Sequence, residues 1–268
     1  MEITIDLNRT IKENANKYFA EAKKFKLKLQ GVQKAIPDTE KKLEELKQKG
    51  LQKKAAKPAV KRKKEWYEKF HWFFSSDGLL VLAGRDAKSN ESLVKKYMSD
   101  NDLYFHSDIH GAAHVFVQCK EPNKATEATQ NEAAQFAAIF SSAWREGFNS
   151  LDVYSVLPSQ VSKKAPTGEF LTVGAFIIEG ERKWFRKTQL DFSIGYLLEN
   201  GSIRIISGPT SAIKKNAAFS VKLIQGNLGK NEAAKKLKQL FDGQLKAAMA
   251  ELDEIMQMLP NGNFKILK

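Results

Sequence analysis

The chain has 268 residues, 42% of them hydrophobic, enough for one sizeable core with an attached helical module. Its formal charge of +13 favours anionic partners such as nucleic acid without specifying any sequence readout. No run approaches the ~20 apolar residues of a membrane span, MEITIDLNRT lacks the pattern of a secretory signal, and the single cysteine, Cys119, excludes an internal disulfide and a Cys-clustered zinc site. These features together read as a cytoplasmic protein with no membrane partner.

In chain order, residues 8–36 come first. Leu7, Ile11, Ala15, Tyr18, Ala22, Phe25, Leu29, Val32 and Ile36 recur every three or four residues, a narrow coiled-coil-like stripe. Pro37 and Asp38 interrupt it before TEKKLEELKQK resumes, which leaves a helical hairpin or one kinked rod open. The basic segment QKKAAKPAVKRKK, residues 52–64, reads either as a solvated linker or as a contact to RNA phosphates.

The texture then becomes aromatic at EWYEKFHWFF. LLVLAG (79–84) predicts a buried strand, and Asp86 or Ser89 caps a helix through SNESLVKKYM, with Glu91 four residues before Lys95. DLYFHSDIHGAAHVFVQ (102–118) alternates as a strand, with a turn or bulge expected at Gly111-Ala112-Ala113. EATQNEAAQFAAIFSSAWREG predicts one amphipathic helix stopped by Gly147, with Phe136 and Trp144 in the core. Further strands are LDVYSVL, FLTVGAFIIE, LDFSIGYLL, SIRIIS and SVKLIQG, with a hairpin at Glu199-Asn200-Gly201 and a short helix at SAIKKN. Residues 230–258 predict a closing helix and LPNGNFKILK a tail. The fold class is α+β: a compact mixed body with a long N-terminal helical arm and a C-terminal helix. The boundaries fall at 1–61 for arm and linker, 62–226 for the body and 227–268 for the closing helix and tail.

Several residue groups can carry chemistry. On a strand His106, Asp108 and His110 share one face, and three of the four histidines lie in HSDIHGAAH. The cluster is open to three readings: a hydrogen-bonded structural group, a face toward RNA, or a metal or acid–base site. At GRDAKSNESLVKKY a strand ends and a helix begins, so Arg85 and the helix N-terminus can hold an anion, unless Arg85 and Asp86 pair with each other. VSKKAPTGEF places Ser162, Lys163, Lys164 and Thr167 on a loop stiffened by Pro166 and turned by Gly168, suited to a phosphate backbone or simply to solvent. Arg182-Lys183 and Lys214-Lys215 add cations on other turns, and Trp184 and Phe185 either stack on a base or belong to the core. With no G-x-G-x-x-G, Walker A, Gly-x-Ser-x-Gly or Cys–His arrangement, nucleotide hydrolysis and covalent catalysis have no support. No cofactor or catalytic residue is assigned.

Three stretches, WYEKFHWFFSSDGLLVLAGRDAKSNESLVKKY, DLYFHSDIHGA and VLPSQVSKKAPTGEFLTVGAFIIEG, resemble the NFACT-R domain, the RNA-binding domain of ribosome quality-control NFACT proteins (NEMF-like, fibronectin-binding-protein-A-like). The resemblance covers residues 62–226. The preceding arm, with NANKYF, resembles the family's coiled coil, and the sequence style resembles archaeal members. It implies binding to a large ribosomal subunit carrying a stalled peptidyl-tRNA, tRNA recruitment and template-free C-terminal tailing. The NFACT-N and helix-hairpin-helix domains are not in these 268 residues. The expectation is therefore either a piece of a longer chain or a split gene, in which a separate polypeptide carries those domains and docks here. Two other functions stay open: a free-standing nucleic-acid binder without tailing, and a metal-dependent enzyme built on HSDIHGAAH.

Overall fold

A computed structural model describes residues 4–7, 10–52, 63–121, 124–164, 171–199, 202–245 and 250–267. It divides into two compact units, residues 1–58 and 59–268. Most of the basic segment at 52–64, together with Pro166, Thr167 and Gly168, lies outside the described residues.

The first unit is built on one helix, α1 (Ile11–Gln52). Thr10 and Glu13 cap it reciprocally. The Glu13 N–H donates to the Thr10 hydroxyl at 3.3 Å, and the Thr10 N–H donates to the Glu13 carboxylate at 2.8 Å. Pro37 neither breaks the helix nor makes a hairpin: α1 runs through it, and Thr39 Oγ1 donates to the Ala35 carbonyl at 2.7 Å beside it. Ile11, Phe25, Leu29, Val32 and Ile36 of the predicted stripe are exposed.

The second unit holds the core. Its strands are β1 (His71–Phe74), β2 (Leu80–Ala83), β3 (Leu103–Ser107), β4 (Val115–Val117), β5 (Ser150–Val156), β6 (Val161–Ser162), β7 (Ile177–Ile178), β8 (Lys183–Gln189), β9 (Phe192–Glu199), β10 (Ser202–Pro209), β11 (Phe219–Leu228) and β12 (Phe264–Ile266). The helices are α2 (Ala87–Tyr97), α3 (Glu127–Ile139), α4 (Ser142–Glu146), α5 (Thr210–Asn216), α6 (Lys230–Leu245) and α7 (Leu252–Met258). One antiparallel sheet has the order β1-β2-β4-β3-β5-β8 and a second β10-β9-β11-β12, while β6 and β7 pair alone. Phe136 on α3 meets Phe73 of the first sheet at 4.7 Å, and Trp144 meets Phe192 and Phe264 of the second at 5.5 and 5.7 Å. Both predicted core aromatics are buried.

Several expected elements differ. The strand expected over 102–118 is two strands, because Ser107 ends β3 and residues 108–114 form the connection to β4. Residues 127–146 are two helices, since the Ser141 hydroxyl caps α4 at the Ala143 N–H; Gly147, at φ 80°, stops α4 as expected. Among the described residues of FLTVGAFIIE only Ile177–Ile178 are strand, because Gly174, at φ 80°, turns the chain before them. Lys183 opens a strand, β8, that its charged residues disguise. The closing helix is two helices, α6 and α7. The tail contributes β12 through the buried Phe264, joining 227–268 to the same core.

Candidate nucleic-acid interface

A cleft of about 1360 Å³ opens beside the first sheet, and all four histidines of the chain line it. Its floor comes from the end of β2. A Cβ at Gly84 would lie 1.9 Å from Asn90 Oδ1, so only glycine permits this approach of β2 to α2. That same Oδ1 accepts from the His114 N–H at 3.2 Å.

Arg85 follows Gly84 and turns inward. Its Nη2 donates to the carbonyls of Phe70 at 2.9 Å and Glu68 at 3.3 Å, while its buried Nε has no partner. Burial pushes the guanidinium pKa down. Asp86 does not pair with it: the carboxylate accepts from the Ser89 N–H at 2.7 Å and caps α2. The helix end that the sequence offers to an anion is therefore occupied by its own carboxylate.

Two of the cleft histidines, His106 and His114, are held largely uncharged. Burial is the main cause that pushes His106 down to about 4 and His114 down to about 3. Their rings stand 4.9 Å apart, and His114 Nδ1 bonds the Tyr104 hydroxyl. The expected common face of His106, Asp108 and His110 does not form, because β3 stops at Ser107. Asp108 and His110 instead sit exposed on the following turn, His110 lining the cleft. Among the described residues, no three His, Cys, Asp or Glu side chains are grouped to hold a metal ion.

The loop that forms the opposite wall is pinned by Lys163. Its ammonium donates to the carbonyls of Thr172 at 2.8 Å and Ala175 at 3.0 Å and to Glu91 at 3.3 Å, and lies 5.1 Å from the Phe176 ring centre. Glu91 is pushed down to about 2, first by Lys95, then by the Gly174 N–H and Lys163. Lys163 thus spends its donors on the chain itself. Lys164 next to it is exposed, its N–H donating to the Ser162 hydroxyl at 3.0 Å.

His106 also begins a row across the sheet, since it pairs with Tyr154 and Tyr154 with Trp184. Arg182 lies 4.5 Å from the Tyr154 ring centre and Arg186 4.0 Å from that of Trp184. A bulge sets Arg186: Asp152 faces both Arg186 and Lys187, accepting from the Arg186 guanidinium at 2.7 Å and the Lys187 N–H at 2.8 Å. Lys183 points to the other side, bonding Gln130 at 2.7 Å near Phe185, which packs on Phe105 in the core. Lys214 and Lys215 are exposed on the last turn of α5 and do not line the cleft.

Sequence reasoning missed His71, Arg186 and Lys230 as site residues. Alternation in KWFRKTQ puts Trp184 and Arg186 on one face and was the available signal for Arg186. None existed for Lys230, which reaches the cleft from α6.

Residues 69–180 match the family described as the NFACT protein RNA binding domain. The chain is 36% identical over 212 residues to the archaeal Rqc2 homolog aRqcH of Methanocaldococcus jannaschii, covering 79% of this chain and 31% of that protein. It is 35% identical over 202 residues to the ribosome quality control complex subunit NEMF homolog of Drosophila melanogaster, covering 74% and 20%. Against the human ribosome quality control complex subunit NEMF the identity is 34% over 190 residues, covering 69% and 17%. The chain therefore spans less than a third of the length of each of these relatives. Residues 69–180 therefore carry the match to the NFACT protein RNA binding domain, and over more than half of its length the chain is similar to Rqc2, NEMF and RqcH homologues.

Proposed function

We propose that this chain is the RNA-binding module of a ribosome quality-control factor, and that its cleft and the adjoining β8 row contact tRNA or large-subunit rRNA during rescue of stalled nascent chains. One observation carries the reading: residues 69–180, the RNA binding domain match, supply most of the cleft lining. The body is residues 62–226, the arm and linker 1–61 and the closing part 227–268. Exposed Lys164 and Arg186 and the half-buried Arg182 meet phosphates, and Trp184 offers a face to a base. The exposed apolar stripe of α1 is the surface for a helical partner, such as a polypeptide bearing the NFACT-N and helix-hairpin-helix domains. The setting is cytoplasmic, and no residue is given a catalytic role.

The test is binding of the full chain to deacylated tRNA and to a DNA duplex of equal charge across a salt series. The expected result is tighter tRNA binding at matched salt, weakened by the Arg182→Ala/Arg186→Ala pair with a shallower salt slope. Equal affinity for both ligands would instead favour a free-standing nucleic-acid binder.

A further inference from the structure

At one end of the cleft three side chains converge from distant parts of the sequence: His71 on β1, Arg85 after β2 and Lys230 at the start of α6. We propose that this corner is a subsite for one phosphate group of a single-stranded RNA that enters the cleft. The inference rests on the RNA-binding reading above.

The charges are the first argument. Arg85 and Lys230 act on each other and on His71: burial, then Arg85, pushes the Lys230 pKa down, and burial, then Arg85 and Lys230, pushes His71 well below its ordinary value. Two half-buried cations thus share one corner. Among the described residues neither forms an ion pair, while carboxylates lining the same cleft are engaged elsewhere, Asp86 on Ser89 and Glu146 on Arg145. Asp253 also lines the cleft, without an ion pair to either cation. Like charges brought together out of water destabilise the free protein, and a bound anion reverses the sign of that effect.

Unused hydrogen-bonding capacity is the second argument. His71 Nδ1 and Arg85 Nε are both sealed from solvent without a partner. Buried polar groups are rarely left so. Lys230 Nζ donates one bond, to the Leu259 carbonyl at 2.8 Å, and keeps two further protons. His71 is held by its ring, stacked on Phe140 with centres 4.0 Å apart, so Nδ1 is positioned without a hydrogen bond. A phosphate oxygen accepts directly from the Lys230 ammonium, and from His71 Nδ1 and Arg85 Nε once those side chains shift toward the cleft, a match that a neutral ligand does not provide. The cleft volume far exceeds one phosphate and leaves room for the attached nucleotide, with His106, His114 and Phe176 lining the cleft beyond. Because binding an anion favours protonated His71, affinity strengthens as pH falls.

The experiment uses the full chain in two parallel arms. In the first, a short single-stranded RNA is titrated against wild type, Lys230→Gln and Lys230→Arg over a salt series. The expected result is an about tenfold weaker affinity for Lys230→Gln, a salt slope shallower by about one, and recovery in Lys230→Arg. Wild-type affinity and slope in Lys230→Gln would overturn the subsite. The thermal midpoint is followed alongside; removing one of two repelling cations should leave it unchanged or raised, so loss of RNA binding by unfolding is recognised directly. In the second arm, inorganic phosphate is titrated into wild type while the His71 imidazole is observed by NMR. A saturable shift lost in Lys230→Gln supports the subsite even if wild type binds no RNA, a result that would sink the RNA reading alone. No shift in wild type overturns the subsite without touching that reading. A phosphate shift combined with unaltered RNA binding in Lys230→Gln would make it a site for free phosphate and overturn its assignment to RNA.

Discussion

The loop wall of the cleft and the edge strand β8 are both rich in cations, and they use them in opposite ways. On the wall, Lys163 points into its own chain and spends its donors on Thr172, Ala175 and Glu91. At β8, Arg182 and Arg186 lie 4.5 and 4.0 Å from the ring centres of Tyr154 and Trp184, and Arg186 keeps most of its side chain in solvent, at 60% exposure. A lysine that holds two carbonyls and a carboxylate organises the site, whereas Arg186, paired with Asp152 through Nη1, keeps its other guanidinium N–H groups for a phosphate. A local count of positive charge treats the two alike. What separates them is the nearest acceptor, and that is supplied by a different part of the chain.

The comparison can be broken in a graded way. Phe136 lies under the first sheet, buried in the main core against Phe73 and Phe140, so Phe136→Ala should cost about 3–5 kcal/mol of stability. Chemical denaturation would then show wall and strand lost in one transition; two separated transitions would mean that the regions are independent.

A pH titration acts next. His106 and His114 stay neutral in the folded chain down to about pH 4 and about pH 3, whereas an unfolded histidine takes up its proton near ~6.5. Below ~6.5 the unfolded state binds more protons, so stability falls with decreasing pH until the folded values are reached, by on the order of a few kcal/mol. Thermal midpoints measured between those limits should decline, and the decline should be shallower but not abolished in His106→Gln/His114→Gln, because the buried His71 is held below its ordinary pKa as well.

Lys163→Met removes a charged hydrogen-bond donor from the wall and should cost about 1.5–3 kcal/mol locally. Hydrogen exchange should accelerate at the Gly174 and Ala175 amides, with β8 amides unchanged. Equal acceleration in both regions would erase the distinction drawn here.

Arg186→Ala should produce the smallest change in stability, within about 0.5–1 kcal/mol, because its pair with Asp152 is exposed. Its effect should appear in RNA binding as a salt slope shallower by about one. A larger loss of stability than in Lys163→Met would reverse the assigned roles.

Much of the body is legible along the chain because it depends on neighbours in sequence. The Asp86 cap, the Glu91–Lys95 pair, the Gly147 stop, the β9–β10 hairpin and the buried positions of Phe136 and Trp144 follow from local spacing and side-chain chemistry. The site was legible only in outline. Period-two alternation places His106, Asp108 and His110 together, and that fails because β3 ends where its pairing with β5 ends. β8 carries too many charges to look like a strand, yet it pairs with β5 because its aromatics face two different layers.

By itself, then, the sequence determined an α+β body behind a helical arm, a basic surface and the family resemblance, all written in short-range patterns of polarity and in ordered motifs. Only the tertiary structure decided how each cation is engaged. It tied Lys163 to carbonyls up to twelve residues away, laid Arg186 on Trp184 through the bulge opposite Asp152, and brought Lys230 to Arg85 and His71 across more than half the chain. The physical reason is that a charged side chain takes its role from the acceptors, rings and counter-charges packed around it, and those are assembled by long-range contacts that no window of sequence contains.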